Sequence, residues 1–250
     1  MRKLALAAVL AAFAFPVAAA DEAPKPKQVD WHHSGPFGTF DRAAAQRGFL
    51  VYKEVCAACH SLRFIAFRNL QEIGLTEGEV KVLAAGYQVT DGPNDAGEMF
   101  ERPGKASDRV PSPYPNEKAA RAANNGAYPP DLSLIAKARL GGENYVYSLL
   151  TGYDPPPSGV QMREGMSYNT YFPGHQIAMP KPINDDQVTY PDGTKASVDQ
   201  MARDVTTFLA WAAEPNLEAR KSLGVKVMLF LAAFSVVLYA AKRKVWADVH

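Results

Sequence analysis

The chain contains two cysteines, and both lie in Cys56-Ala57-Ala58-Cys59-His60. Two thiols at this spacing reach the two vinyl groups of one porphyrin, and the imidazole that follows falls under the iron. The pentapeptide therefore reads as a covalent haem attachment signature. Three other readings compete for the same residues. A structural zinc site needs four nitrogen or sulfur ligands, and two cysteines would have to recruit distant histidines. A thioredoxin-like redox pair wants a preceding strand in an α/β pattern, whereas this pair ends a helical stretch in a Gly- and Pro-rich chain. A plain disulfide across so short a loop adds little stability. Haem also answers a problem of organisation. Residues 73–191 are dominated by long connections, and a compact domain holds such loops only when something large and apolar gathers them.

The two ends of the chain indicate where this domain works. Met1-Arg2-Lys3, an apolar run over residues 4–17 and Ala18-Ala19-Ala20 before Asp21-Glu22 make a cleavable secretory signal over residues 1–20. It lacks the Arg- and Ser-rich character of an organellar transit peptide, which predicts bacterial export across the inner membrane. Residues 223–241 form an apolar run broken only by Lys226, long enough as a helix to cross roughly 28 Å of bilayer. Lys242-Arg243-Lys244 follow at once, with Tyr239 and Trp246 at headgroup depth. The basic cluster favours the cytoplasm, so residues 21–220 are expected in the periplasm, with 242–250 as a cytoplasmic tail. Lys226 can snorkel to the outer interface. The 27 basic and 26 acidic side chains nearly balance, and removal of the signal takes Arg2 and Lys3 with it. Nucleic acid is not an expected partner on that charge.

Between those ends, a composition that is 47% apolar over 250 residues supports one globular domain with appendages. Residues 21–38 carry Pro24, Pro26, Gly35, Pro36 and Gly38 and predict an extended arm, with Trp31 and Phe37 as docking aromatics. Asp41 can cap a helix over residues 41–60, on which Leu50, Val51, Val55 and Cys59 recur at helical spacing, with the cysteines at its end. Further helices are expected at 77–85, 117–124 and 132–150. Ser197-Val198-Asp199-Gln200 reads as a capping box that opens a helix with Met201, Val205, Phe208, Leu209 and Ala212 on its apolar face. Pro215 ends or kinks that helix.

His60 fills one axial position of the iron, and the chemistry turns on the other. A methionine there closes the iron and raises its potential; an open position permits ligand or peroxide chemistry. Met99, Met162, Met166, Met179, Met201 and His175 are the candidates. Met201 sits on an apolar helix face, where packing is the usual role. Met179 lies in the rigid stretch Pro173-Gly174-His175-Gln176-Ile177-Ala178-Met179-Pro180-Lys181-Pro182. An open-haem enzyme such as a peroxidase, and a cytochrome subunit of another respiratory complex such as an oxidase, stay alongside the electron carrier.

Several stretches together resemble the cytochrome c1 family, the haem subunit of quinol:cytochrome c oxidoreductase (the cytochrome bc1 complex). They are Val51-Tyr52-Lys53-Glu54-Val55-Cys56 through Arg63-Phe64, Ala123-Asn124-Asn125-Gly126-Ala127-Tyr128-Pro129-Pro130-Asp131-Leu132-Ser133, and Gly141-Gly142-Glu143-Asn144-Tyr145-Val146. Leu150-Thr151-Gly152-Tyr153, Tyr171-Phe172-Pro173-Gly174, Ala178-Met179-Pro180 and Phe208-Leu209-Ala210-Trp211-Ala212-Ala213-Glu214-Pro215 complete the set. The resemblance implies an all-α fold: a class I cytochrome c-like haem domain with long irregular loops plus one C-terminal transmembrane helix. It implies one haem c bound through Cys56 and Cys59 with His60 and Met179 as axial ligands. Arg139 and Tyr145 resemble haem-propionate contacts, and Asn124, Pro129 and Pro130 resemble the lining beside the proximal histidine. The implied partners are cytochrome b, the Rieske iron-sulfur protein as donor and a soluble cytochrome c as acceptor, in a dimeric complex. No residue is assigned substrate chemistry. Asp91, Asp95, Glu98, Glu101 and Asp108 are weaker candidates for steering a basic partner, diluted by Arg102, Lys105 and Arg109. Some bacterial relatives carry a further cysteine pair, which this chain lacks.

Overall fold

The computed structural model describes residues 23–248, so the signal peptide expected at 1–20 lies outside the described residues. Two helices carry the domain. Helix α1 spans Arg42–Glu54, and Asp41 caps it by accepting the Ala44 N–H at 3.0 Å. Its buried face is Ala44, Ala45, Gly48, Phe49, Val51 and Tyr52. The apolar face expected near the other end of the domain belongs to the helix Val198–Ala213, and Met201, Val205, Phe208, Leu209 and Ala212 are all buried on it. Ser197 caps it through the Gln200 N–H at 3.2 Å, but only half of the capping box forms. The Gln200 amide runs forward to the Asp204 carboxylate at 3.1 Å, where a buried charge outcompetes a solvated helix end.

The two helices meet at Gly48, where a Cβ would stand 2.0 Å from the Asp204 carbonyl oxygen. Backbone approaches backbone there because glycine has no side chain. Around that point Phe208 packs on Phe49, Tyr52 and Trp211 with ring centroids 5.5, 5.8 and 5.7 Å apart. Each such aromatic contributes on the order of 2–3 kcal/mol by leaving water. Arg47 grips Asp204 with two nitrogens at 2.9 and 3.0 Å and reaches Asp192 with a third at 2.9 Å. Asp204 is 1% exposed, so this forked pairing answers a charge that burial would otherwise penalise.

The rest follows in order: a 3₁₀ turn at Cys56–Ala58, a longer 3₁₀ segment at Phe67–Ile73, α2 (Glu77–Ala85), β1 (Gln88–Asp91), β2 (Phe100–Pro103) and α3 (Glu117–Ala123). Then come α4 (Ile135–Ala138), α5 (Gly142–Leu150), β3 (Ser167–Tyr168), β4 (Gln176–Ile177), α6 (Val198–Ala213) and α7 (Leu217–Val245). The fold is mainly helical. Its only strands among the described residues form two antiparallel hairpins, β1–β2 and β3–β4, that periodicity did not signal.

Three expectations are corrected. The helix expected over 41–60 stops at Glu54, and both cysteines lie on or beside the tighter turn that follows. The helix expected over 132–150 is two, because Gly141 and Gly142 take φ of 87° and 53° and turn the chain between α4 and α5. The described part of the arm carries no helix or strand and turns at residues 32–37, and only one of its aromatics docks. Trp31 is buried and donates to the Asn144 side chain at 2.8 Å, whereas Phe37 is 79% exposed.

Glu214 closes α6 and Pro215 separates it from α7. Among the described residues, α7 is the one helix long and apolar enough to cross a membrane, with a mean hydropathy of 2.1 in its best window and no protein cover there. It starts ahead of the apolar run because its first turn is bound to the domain. Glu218 accepts from the Phe40 N–H at 2.8 Å and from Arg42 at 2.9 Å, while Lys221 donates to the His33 and Gly38 carbonyls at 2.7 and 3.0 Å.

Gly48→Ala should destabilise the domain by at least about 2–3 kcal/mol, since the clash is with backbone and no rotamer relieves it. Thermal unfolding of the detergent-solubilised protein measures this, and an unchanged midpoint would contradict the close crossing.

A candidate haem site

The carbonyl of Cys56 accepts from both the Cys59 and His60 N–H groups, at 3.1 and 2.9 Å. This shared acceptor tightens the chain after α1 and presents the pentapeptide as one turn. Both thiols are uncrosslinked and half-buried, and Cys56 packs against the core. Burial, and secondarily the neighbouring Cys59, pushes the Cys56 thiol up to about 12. Among the described residues no group of three or more His, Cys, Asp or Glu side chains is gathered to hold an ion.

His60 is oriented from two sides. Its carbonyl accepts from the Tyr52 hydroxyl at 3.1 Å, and its Nδ1 lies 2.8 Å from the Pro130 carbonyl. A carbonyl can only accept, so Nδ1 carries the proton and Nε2 keeps its lone pair. Burial lowers the pKa of His60, opposed in part by the Pro130 carbonyl and Asp131, which favours the neutral imidazole that can ligate a metal.

The Pro130 carbonyl is itself held in place. Asp131, the next residue, accepts from the Ser61 hydroxyl at 2.7 Å, the Arg63 N–H at 2.9 Å and the Ser133 N–H at 2.9 Å. Burial alone would raise this carboxyl, but those hydrogen bonds outweigh it and leave its pKa below the usual range. Asn124 closes α3 by donating to the Ala120 carbonyl at 2.7 Å, and its own carbonyl accepts from Ala127 at 2.9 Å, so it directs the chain toward Pro129 and Pro130.

Arg139 and Tyr145 flank the α4–α5 turn, Arg139 exposed and Tyr145 half-buried. Burial raises the Tyr145 phenol and the Arg139 charge partly offsets it. Tyr153 continues this cluster: burial and the neighbouring Tyr145 raise its phenol, and its hydroxyl donates to the Met179 carbonyl at 3.1 Å. Met179 is half-buried just beyond the β3–β4 hairpin. Neither Tyr153 nor Asp131 was assigned a role from the sequence, although both lie in stretches that carry the family resemblance. Their functions depend on partners far along the chain.

The competing axial candidates have other placements. Met201 is fully buried in the α6 core, and Met99 is exposed on the first hairpin. His175 holds the second hairpin, its ring stacked on Tyr168 at 5.6 Å and its carbonyl accepting from Asn169 at 2.9 Å. Met162 and Met166 are half-buried in the loop before β3. Of the acidic candidates, Asp91 and Asp108 both bind Arg102, Asp108 through contacts of 2.6 and 3.0 Å. That pairing holds the Asp108 carboxyl at about 2. Glu101 accepts from the Thr90 hydroxyl, leaving Asp95 and Glu98 exposed at the hairpin tip.

With this geometry in view, comparison with known proteins is specific. The chain matches the Cytochrome C1 family over residues 31–249. It is 50% identical to "Cytochrome c1" of Rhodospirillum rubrum, over 88% of this chain and 87% of that protein. It is 52% identical to the "Cytochrome b-c1 complex catalytic subunit, mitochondrial" of Candida albicans, over 92% of this chain and 81% of that protein. "Cytochrome b/c1" of Bradyrhizobium diazoefficiens is 54% identical over 90% of this chain, which spans 36% of that longer protein. On this match, which covers residues 31–249, the chain belongs to the Cytochrome C1 family.

Proposed function

We propose that the protein is the haem-bearing, membrane-anchored subunit of a quinol:cytochrome c oxidoreductase. In this reading it takes single electrons from a Rieske iron-sulfur protein and passes them to a soluble cytochrome c. The observation that carries it is the His60–Pro130 contact at 2.8 Å beside the Cys56 and Cys59 thiols, which leaves one imidazole nitrogen ready for an iron. The Candida albicans relative is by name a subunit of the cytochrome b-c1 complex, which supports cytochrome b as a neighbour.

The residues fit a haem c. Cys56 and Cys59 would hold it through thioethers, His60 Nε2 and the Met179 sulfur would occupy its axial positions, and Arg139 and Tyr145 would meet its propionates. Bound there, the haem supplies a one-electron couple, so the protein's work is to set the potential and present an edge. Pro130 fixes the imidazole tautomer. Tyr153 restrains the Met179 backbone. Asp95 and Glu98 at the hairpin tip supply the acidic charge left for a basic partner. The domain faces the periplasm, with α7 spanning the bacterial inner membrane once and the basic Lys242-Arg243-Lys244 end in the cytoplasm. Two such subunits belong to a dimeric complex.

Met179→Leu should lower the reduction potential and give a high-spin, CO-reactive iron, with haem still bound to the chain on denaturing gels. A variant with the native spectrum would remove Met179 as ligand. A high-spin iron in the unmodified protein would instead favour an open-haem enzyme. Purification from membranes should bring down a di-haem cytochrome b and a Rieske protein with the chain; isolation with oxidase subunits instead would reassign it to another respiratory complex.

A further inference from the structure

We infer that Asp131 is a positioning residue for the proximal imidazole, setting the iron's potential through the Pro130 carbonyl without touching the haem. The inference rests on the reading of His60 as an axial ligand. Pro130 and His60 are 70 residues apart in sequence, and Pro130 lies in a stretch without helix or strand. No regular ladder therefore places its carbonyl. Asp131 does so by closing a ring. Its Oδ2 accepts from the Ser61 hydroxyl at 2.7 Å and the Arg63 N–H at 2.9 Å, directly after His60, while its Oδ1 accepts from the Ser133 N–H at 2.9 Å. The Leu132 N–H to Ser61 carbonyl bond at 2.9 Å and the Phe64 N–H to Ser133 hydroxyl bond at 3.1 Å run alongside. The strand of chain leaving His60 and the strand leaving Pro130 are thus joined on both sides of one carboxylate.

The chemistry of the acceptors explains why an acid stands here. Two donors converge on Oδ2 and a third on Oδ1, which an ionised carboxylate accommodates and a carboxamide does not, since one of its two positions is an NH₂ donor. Asn at this position must turn its NH₂ toward Ser61 and Arg63 or toward Ser133, and either choice loosens one side of the ring. The carbonyl of Pro130 then has more freedom, the Nδ1–H bond weakens, and the imidazole becomes a poorer electron donor to the iron. A weaker donor stabilises the ferric state less, so the potential rises. The Arg63 guanidinium, 3.4 Å from Oδ2 and largely exposed, adds little to the ring.

The test is a redox titration and an EPR spectrum of the oxidised haem in the membrane-purified complex, for the unmodified protein, Asp131→Asn and Ser61→Ala. Asp131→Asn should raise the midpoint potential and shift the low-spin g values. Ser61→Ala removes one donor and no charge, so it should shift both in the same direction by less, which separates positioning from loss of a nearby negative charge. Glu72→Gln, which removes an exposed charge on the Phe67–Ile73 segment, should leave the g values unchanged. Asp131→Asn with full haem content and unaltered potential and g values would overturn the inference while His60 ligation stands. If Asp131→Asn fails to accumulate, Ser61→Ala decides alone, and an unshifted potential and g values there overturn it. A chain without covalent haem in the unmodified protein would instead overturn the underlying reading before the variants are compared.

Discussion

Gly48 lets the backbone of α1 come against that of α6, and most of the domain is arranged around that crossing. Helix α1 ends at the pentapeptide, so the direction it leaves the crossing determines where Cys56, Cys59 and His60 are delivered. Burying Phe49, Tyr52, Phe208 and Trp211 around the contact supplies the apolar driving force, which is non-directional. Arg47 and Asp204 supply direction. A buried forked ion pair adds little net stability over an apolar pair of the same shape. Its geometry, though, is satisfied in one register of the two helices, and slippage would strand a charge in the core.

Away from the crossing, hydrogen-bonding side chains do what secondary structure does in other folds. Asn144 accepts from both the Trp31 indole and the Val29 N–H, pinning the arm along α5. Asn169, fully buried, donates to the Leu149 carbonyl and accepts from the Tyr171 N–H, pinning the second hairpin to the end of α5. Asp131 joins the segment that follows His60 to the one that follows Pro130. Buried backbone polar groups must be paired somewhere, and long irregular connections leave few ladders to pair them. Short amides and carboxylates fill that need because they reach main-chain groups while placing little bulk beside a cofactor.

The same contrast explains what could be read from the sequence. Helices α1 and α6 were legible because local chemistry marks both: Asp41 and Ser197 cap them, and apolar residues recur at helical spacing. The break at Gly141-Gly142 was not, because periodicity runs across two glycines whose left-handed backbone carries no apolar signal. The hairpins were not: β3 and β4 have two residues each, too few to alternate, and β1 and β2 are four-residue strands on which no residue is fully buried. At the site, the Cys56–His60 motif stands out in the sequence because both thiols and the imidazole lie within five consecutive residues. Pro130 was reached only through resemblance. Asp131 and Tyr153 acquire their roles from Ser61 and Met179, contacts that no spacing rule encodes.

The joint between domain and membrane bears on how electrons could be exchanged. Glu218, at the start of α7, accepts from Phe40 and Arg42, which stand at the start of α1. The membrane helix is therefore bonded to the base of the helix whose far end bears the pentapeptide, about 20 Å away along α1. Lys221 adds two further bonds to the arm. A domain held by several bonds at its anchor does not swing freely on a tether, and a haem carried at the end of α1 would keep a fixed height above the bilayer. Electron transfer needs donor and acceptor edges close together, and on the proposed function, with this edge stationary, the approach and departure fall to the partners. On the proposed function, the chain's contribution to turnover is a fixed relay whose potential is tuned from within, through the His60 imidazole, the Pro130 carbonyl and the residues that hold them.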